Sequence, residues 1–91
     1  MAQRTVVIAS RIGLHARPAA VFAKAAAAAG TPVTIRKDDG APVPAASILS
    51  VLALGVNCGD EVTIEADGDQ ADGVLDDLAA LLARDLDADP A

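Results

Sequence analysis

The chain has 91 residues, which is enough for one domain and too few for two. Hydrophobic residues make up 53% of it, so a packed core is possible, while the single cysteine, Cys58, excludes an internal disulfide. One histidine and one cysteine are too few ligands for a structural zinc site, and no apolar run approaches the roughly 18 residues of a membrane span. We therefore expect a small cytoplasmic domain that holds no metal and no cofactor and does not insert into a membrane.

Charge is unevenly distributed along the chain. The net charge is −6, yet the charged residues among residues 1–37 are all basic, and all 13 acidic residues lie from Asp38 onward. The acidic part should keep the chain in solution and repel nucleic acid. The basic part could steer an acidic protein partner, although segregation of this kind also arises by chance in a short chain.

The first third of the sequence predicts a strand followed by a helix. Residues 4–9 are rich in β-branched side chains and indicate a strand, and Gly13 is a natural place for a turn. A helix is predicted from residue 15 or 16 to about residue 29, with Pro18 in its first turn, where the missing N–H is no loss. Gly30 should end this helix. Its predicted core-facing residues are Ala19, Phe22, Ala23 and Ala26.

The middle of the sequence predicts two strands joined by a turn. Residues 32–37 indicate a second strand, and residues 38–40 indicate a turn. Residues 41–44 form a third strand only if it lies at an edge of the sheet, because Pro42 and Pro44 cannot donate to ladders on both sides.

The rest of the sequence predicts a helix, a strand and a second long helix. Ser47 is suited to cap a short helix over residues 48–54. Polar and apolar residues alternate over residues 61–66, which indicates a fourth strand. Leucines at helical spacing predict a closing helix over about residues 70–86.

The predicted order of elements is β-α-β-β-α-β-α. It favours the α+β class: an open-faced β-sandwich, in which three helices pack on one face of a four-stranded antiparallel sheet. No internal repeat or linker interrupts the sequence. We expect a single domain over residues 1–88 and a frayed tail over residues 89–91.

The single histidine, His15, lies at the predicted start of the first helix. First-turn N–H groups and the helix dipole make such a position favourable for an anion, and an imidazole nitrogen is a nucleophile that can accept a phosphoryl group. Arg17 adds a guanidinium suited to phosphate oxygens, while Pro18 fixes the turn and Gly13 lets the chain bend. On these grounds alone, a phosphoryl site and a simple surface capping histidine remain about equally supported.

Residues 13–19 read Gly-Leu-His-Ala-Arg-Pro-Ala, which resembles the active-site signature of the HPr family without a change. Residues 45–55 resemble the family's regulatory-serine segment, and residues 59–64 and the leucine-rich closing helix also match it. The resemblance extends over about residues 3–86.

The resemblance implies a phosphoryl carrier of the bacterial sugar phosphotransferase system rather than a free-standing enzyme. His15 would accept a phosphoryl group on Nδ1 from enzyme I, with phosphoenolpyruvate as the ultimate donor, and pass it to enzyme IIA domains for sugar uptake. Arg17 would hold the phosphoryl oxygens, and Ala16 and Pro18 would open the helix that supports them. The resemblance further implies a partner-binding surface formed by Ala20, Lys24, Ala27, Ile48, Leu49 and Leu52, beside Arg17.

Ser47 resembles the family's regulatory serine, which a serine kinase phosphorylates in some bacteria. The sequence departs from that pattern at Ala46, where the family usually has Lys, and at Ser50, where it often has Gly. These departures weigh against recognition by the kinase and favour the capping role. They leave the His15 motif untouched.

Two alternatives to a sugar-system carrier remain at this stage. One is a regulatory paralogue in a nitrogen-related phosphotransferase chain, and the other is an adaptor module of the same fold without covalent chemistry. In each case we expect a monomer, and transcriptional regulators are additional candidate partners.

Overall fold

A computed structural model describes residues 2–9, 13–14, 16–38 and 40–84 of the chain. Within these ranges the elements follow the predicted order β-α-β-β-α-β-α. None of the described helices is long and apolar enough to cross a membrane. The strands are β1 (Ala2–Val7), β2 (Val33–Lys37), β3 (Val43–Pro44) and β4 (Glu61–Ala66). The helices are α1 (Ala16–Ala28), α2 (Ile48–Ala53) and α3 (Ala71–Leu82).

The four strands form one antiparallel sheet in the order β1-β4-β2-β3. Strand β4 is central, and its Ile64 lies opposite Arg4 of β1 on one side and Ile35 of β2 on the other. Strand β3 contributes only two residues and lies at the edge, as Pro42 and Pro44 predict, because proline lacks the N–H that a further neighbour would need.

The three helices cover one face of the sheet and enclose an aliphatic core. The predicted face of α1 is buried, and Phe22 lies at its centre with no exposed surface. Burying a side chain of this size stabilises the fold by about 1.5–3 kcal/mol. The sheet and the other two helices contribute Val33, Ile35, Val51, Val62, Ile64, Leu75, Leu78 and Leu82.

The opposite face of the sheet carries mostly polar side chains, as an open-faced sandwich requires. The hydroxyl groups of Thr5 and Thr63 lie 3.2 Å apart across β1 and β4. On the neighbouring strand, Arg36 Nε lies 3.6 Å from Glu65 Oε1. These cross-strand pairs leave Thr63 only 9% exposed, although no helix covers it.

Strand β1 begins and ends two residues earlier than the sequence predicts. It ends at Val7 because the next in-register pair with β4, Ile8 and Asp60, forms only one of its two bonds: Asp60 N–H donates to the carbonyl oxygen of Asn57 at 3.0 Å instead of to Ile8. Ile8 N–H donates to the carbonyl oxygen of Asp60 (2.9 Å), and Ala9 N–H donates to that of Leu82 (3.3 Å). The chain is thereby turned from the sheet towards the end of α3.

The closing helix is shorter than predicted, because α3 ends at Leu82 rather than near residue 86. Its last turn tightens, with Arg84 N–H donating to the carbonyl oxygen of Leu81 at 3.2 Å. The Leu82 carbonyl, which would bond the next turn of a longer helix, accepts from Ala9 instead. Leu86 and the predicted frayed tail lie outside the described residues.

Candidate functional site

The chain approaches the histidine position along a path fixed by the loop that follows α2. Leu14 is 1% exposed, and its N–H donates to the carbonyl oxygen of Val56 at 3.0 Å. Gly13 has a φ of +73°, and an added Cβ would overlap the Val56 carbonyl oxygen and lie 2.6 Å from Cα of Asn57. Glycine is thus required both by the backbone conformation and by the space. His15 itself lies outside the described residues.

Helix α1 begins at Ala16, directly after the histidine position, as the sequence predicts. Pro18 is almost completely buried in the first turn and lacks an N–H, while Arg17 beside it is exposed. The first-turn amides and the helix dipole create a positive potential here, and a guanidinium adds a full positive charge. The described part of this helix end can therefore stabilise an anionic group.

Two residues that the sequence analysis did not single out organise the loop beneath Leu14. Lys37 Nζ donates to the carbonyl oxygen of Gly55 at 3.1 Å and lies 3.2 Å from Asp60 Oδ2. The same carboxylate oxygen accepts from Asn57 N–H at 2.8 Å. The Asn57 amide, followed by the Lys37 ammonium, holds the pKa of the Asp60 carboxyl below its ordinary value, so the ion pair is intact at neutral pH.

The predicted partner-binding residues lie on α1 and α2, which pack against each other. Leu49 is 77% exposed and Ile48 is 40% exposed, whereas Leu52 is partly buried and packs against the core. Large apolar side chains with this exposure are typical of interaction sites. The remaining members of the set, Arg17, Ala20, Lys24 and Ala27, are all exposed on α1. We call the exposed side chains of these seven residues the docking face.

Ser47 caps α2, as predicted. Its backbone is extended, with φ −97° and ψ 110°, and its hydroxyl accepts from Ser50 N–H at 3.3 Å. Ser47 also donates its own N–H to the carbonyl oxygen of Pro44 at 3.3 Å. The helix ends one residue before the predicted Leu54, and Gly55 follows with a φ of +67°. The serine hydroxyl is half-buried beside the docking face.

Comparison with known proteins identifies the family. The family model described as "PTS HPr component phosphorylation site" matches residues 2–84. The chain belongs to the HPr family. Among its relatives, "Phosphocarrier protein HPr" of Streptomyces coelicolor is 49% identical over 90 residues, covering 99% of this chain and 97% of that protein.

Solved HPr structures share the fold. An HPr structure from Thermoanaerobacter tengcongensis aligns with a TM-score of 0.88 at 31% identity, covering 98% of this chain and 99% of that one. The HPr of Bacillus anthracis aligns with a TM-score of 0.83 at 36% identity, over 89% and 95% of the two chains. The open-faced sandwich predicted from the sequence is therefore confirmed, and this HPr-family chain is a phosphoryl carrier of a phosphotransferase system.

Proposed function

We propose that His15 is the residue that carries the phosphoryl group, on Nδ1, from enzyme I to enzyme IIA domains of a sugar phosphotransferase system, and that the carrier acts as a monomer. The observation that carries this proposal is the unchanged Gly-Leu-His-Ala-Arg-Pro-Ala motif at the start of α1. Anchored Leu14 precedes the histidine, and exposed Arg17 follows it in the first helical turn.

The residues around this position suit an in-line transfer between two histidines. The Nδ1 lone pair of His15 forms a new N–P bond while the N–P bond to enzyme I breaks, and that electron pair returns to the donor imidazole. Positioning and stabilisation of charge dominate such a transfer. The Arg17 guanidinium is suited to the phosphoryl oxygens, and the amides of Ala16 and Arg17 face them at the positive end of the helix, with Pro18 fixing the turn.

The test is the intact mass of the chain after incubation with enzyme I and phosphoenolpyruvate. The proposal expects the addition of one phosphoryl group, which is lost when an enzyme IIA domain of a sugar permease is added. An unchanged mass would favour an adaptor without covalent chemistry. Phosphorylation followed by discharge only to a nitrogen-related IIA protein would instead assign the chain to the regulatory branch.

We further propose that partners bind the docking face, and Leu49→Glu tests this. Because Leu49 is 77% exposed, the added carboxylate should be tolerated by the fold. It should raise the KM for phospho-enzyme I by about tenfold or more, as when a central apolar contact is lost from an interface.

The matched control is Ala80→Glu, which adds the same charge at an exposed position of α3 outside the docking face. Its KM should match that of the parent. If both variants have the parent's KM, or if Leu49→Glu strongly lowers the melting temperature, Leu49 does not contact the partner as proposed.

Ser47 is proposed to modulate transfer through its charge state, separately from its capping role. Ser47→Ala should lower the free energy of unfolding by about 1 kcal/mol, because it removes the acceptor for Ser50 N–H. Ser47→Asp retains a capping oxygen and adds a negative charge near the docking face, so it should keep normal stability and slow transfer from enzyme I.

Ser47→Asn separates the two effects, because it caps the helix without adding charge. Its transfer rate should equal that of the parent in a stopped-flow assay with phospho-enzyme I. Equal rates for Ser47→Asp and Ser47→Asn would remove the regulatory role, and phosphorylation of Ser47 by a serine kinase would then have no functional consequence at this step.

A further inference from the structure

Lys37 is a basic residue on the helix-covered face of the sheet. It follows buried Ile35 by two residues on β2 and therefore lies on the same face, where its side chain is 30% exposed. Its ammonium group contacts both ends of the segment from Gly55 to Asp60 that joins α2 to β4. It binds the Gly55 carbonyl oxygen at 3.1 Å and the Asp60 carboxylate at 3.2 Å.

Asp60 stabilises the same segment by two hydrogen bonds to the backbone of Asn57. Its Oδ2 accepts from Asn57 N–H at 2.8 Å, and its own N–H donates to the Asn57 carbonyl oxygen at 3.0 Å. The carboxylate thus joins Lys37 to the middle of the loop. Lys37 holds Gly55 and Asp60 holds Asn57, and Val56 lies between these two residues. The position of the Val56 carbonyl oxygen is therefore fixed from both sides.

Gly13 and Leu14, which precede the histidine position, are in tight contact with this loop. The Val56 carbonyl oxygen accepts from Leu14 N–H, and the backbones of Gly13 and Asn57 are so close that not even a methyl group fits between them. A displacement of the loop therefore displaces Leu14, or else breaks its hydrogen bond. The described contacts form a continuous path from Lys37 through the loop to the residue before His15.

We infer that Lys37 and Asp60 are positioning residues for phosphoryl transfer, which set the location of the histidine segment through the Gly55–Asp60 loop. This inference rests on the proposed role of His15. Transfer between two histidines requires alignment of the attacking nitrogen, and a misplacement of 1 Å can cost roughly 10²-fold in rate. Neither Lys37 nor Asp60 belongs to the docking face, so their effect falls on the transfer step rather than on partner binding.

The experiment compares Lys37→Met with Arg36→Met. Lys37→Met keeps an unbranched side chain but removes the charge and the donors. Arg36→Met is the matched control, because Arg36 directly precedes Lys37 in β2 but faces the other side of the sheet. There it pairs with Glu65, away from the loop. We measure hydrogen exchange of the Leu14 amide by NMR, and kcat and KM for phosphorylation by enzyme I.

Lys37→Met should accelerate exchange of the Leu14 amide on the order of tenfold, as expected when a charged group's hydrogen bonds to a loop are lost. The exchange of amides in the centre of β4 should not change. The kcat should fall on the order of tenfold with KM unchanged, and Arg36→Met should have the parent's values for all three quantities. Lys37→Arg, which keeps the charge and the donors, should restore most of the rate. Asp60→Asn, which keeps an oxygen for Asn57 N–H, should reproduce the Lys37→Met phenotype in weaker form.

Parental exchange at Leu14 in Lys37→Met would overturn the inference, and so would equal losses of kcat in the Lys37 and Arg36 variants. A fall in rate through KM alone would also overturn it, since it would assign Lys37 to partner binding. If the parent chain itself were not phosphorylated, the proposed function would fail, while the exchange measurement would still report whether Lys37 holds the loop.

Discussion

His15→Ala is expected to abolish phosphorylation by enzyme I and phosphoenolpyruvate completely. The variant lacks the imidazole nitrogen that forms the N–P bond, and the sequence contains no other histidine that could replace it. We expect the fold to survive, because the sequence predicts a surface position for His15, and surface truncations usually change stability by no more than about 0.5 kcal/mol. Intact mass spectrometry and the melting temperature measure the two effects.

Arg17→Ala tests the stabilisation of the transferred phosphoryl group separately from the attack by His15. The histidine remains available, so a phosphoryl adduct should still form, but the rate should fall by about 10²-fold, as when one oxyanion donor is removed. Arg17→Lys should lie between Arg17→Ala and the parent, since it keeps the charge but loses the planar fork of donors. A phosphoryl adduct at the parental rate in His15→Ala would refute the site assignment. A parental rate in Arg17→Ala would remove Arg17 from the mechanism.

Gly13→Ala is expected to have the largest effect on stability. A non-glycine residue at a φ of +73° costs about 1–3 kcal/mol, and the methyl group would overlap backbone atoms of Val56 and Asn57, which cannot rotate away as a side chain can. Overpacking adds about 1–3 kcal/mol. We therefore expect a loss of about 3 kcal/mol or more in the free energy of unfolding, measured by urea denaturation.

Gly30→Ala provides the control for Gly13→Ala. Gly30 has a similar φ of +79°, but nothing lies within 4 Å of its added Cβ, so only the backbone cost applies. The difference between the two variants isolates the contact with the loop. If the two variants are equally stable, the histidine segment is not tightly held by Val56 and Asn57. In that case Lys37 and Asp60 would not act on the histidine segment through this contact.

Local patterns in the sequence were enough to predict the order of the helices and strands and to single out the motif around His15. The helical spacing of Phe22 and the alanines at positions 19, 23 and 26 predicted the buried face of α1. The alternation of polar and apolar residues predicted β4 with the bounds that the structure has. Ser47 and Gly30 marked helix ends because their side-chain and backbone preferences act over a few residues. The motif around His15 is also one continuous segment of the sequence. Its resemblance to the family signature and its suitability for binding an anion could therefore be recognised before the tertiary structure was known.

The segments that lie beside that motif could not be predicted from local patterns and became visible only in the folded chain. The strand order β1-β4-β2-β3 places the end of β2 next to the start of β4, which brings Lys37 to Asp60 although 22 residues separate them. The same packing sets Gly13 against Asn57 and ends α3 at Leu82, whose carbonyl bonds Ala9. Such contacts depend on the spatial arrangement of whole elements, whereas spacing and propensity report only on neighbours within a few residues along the chain.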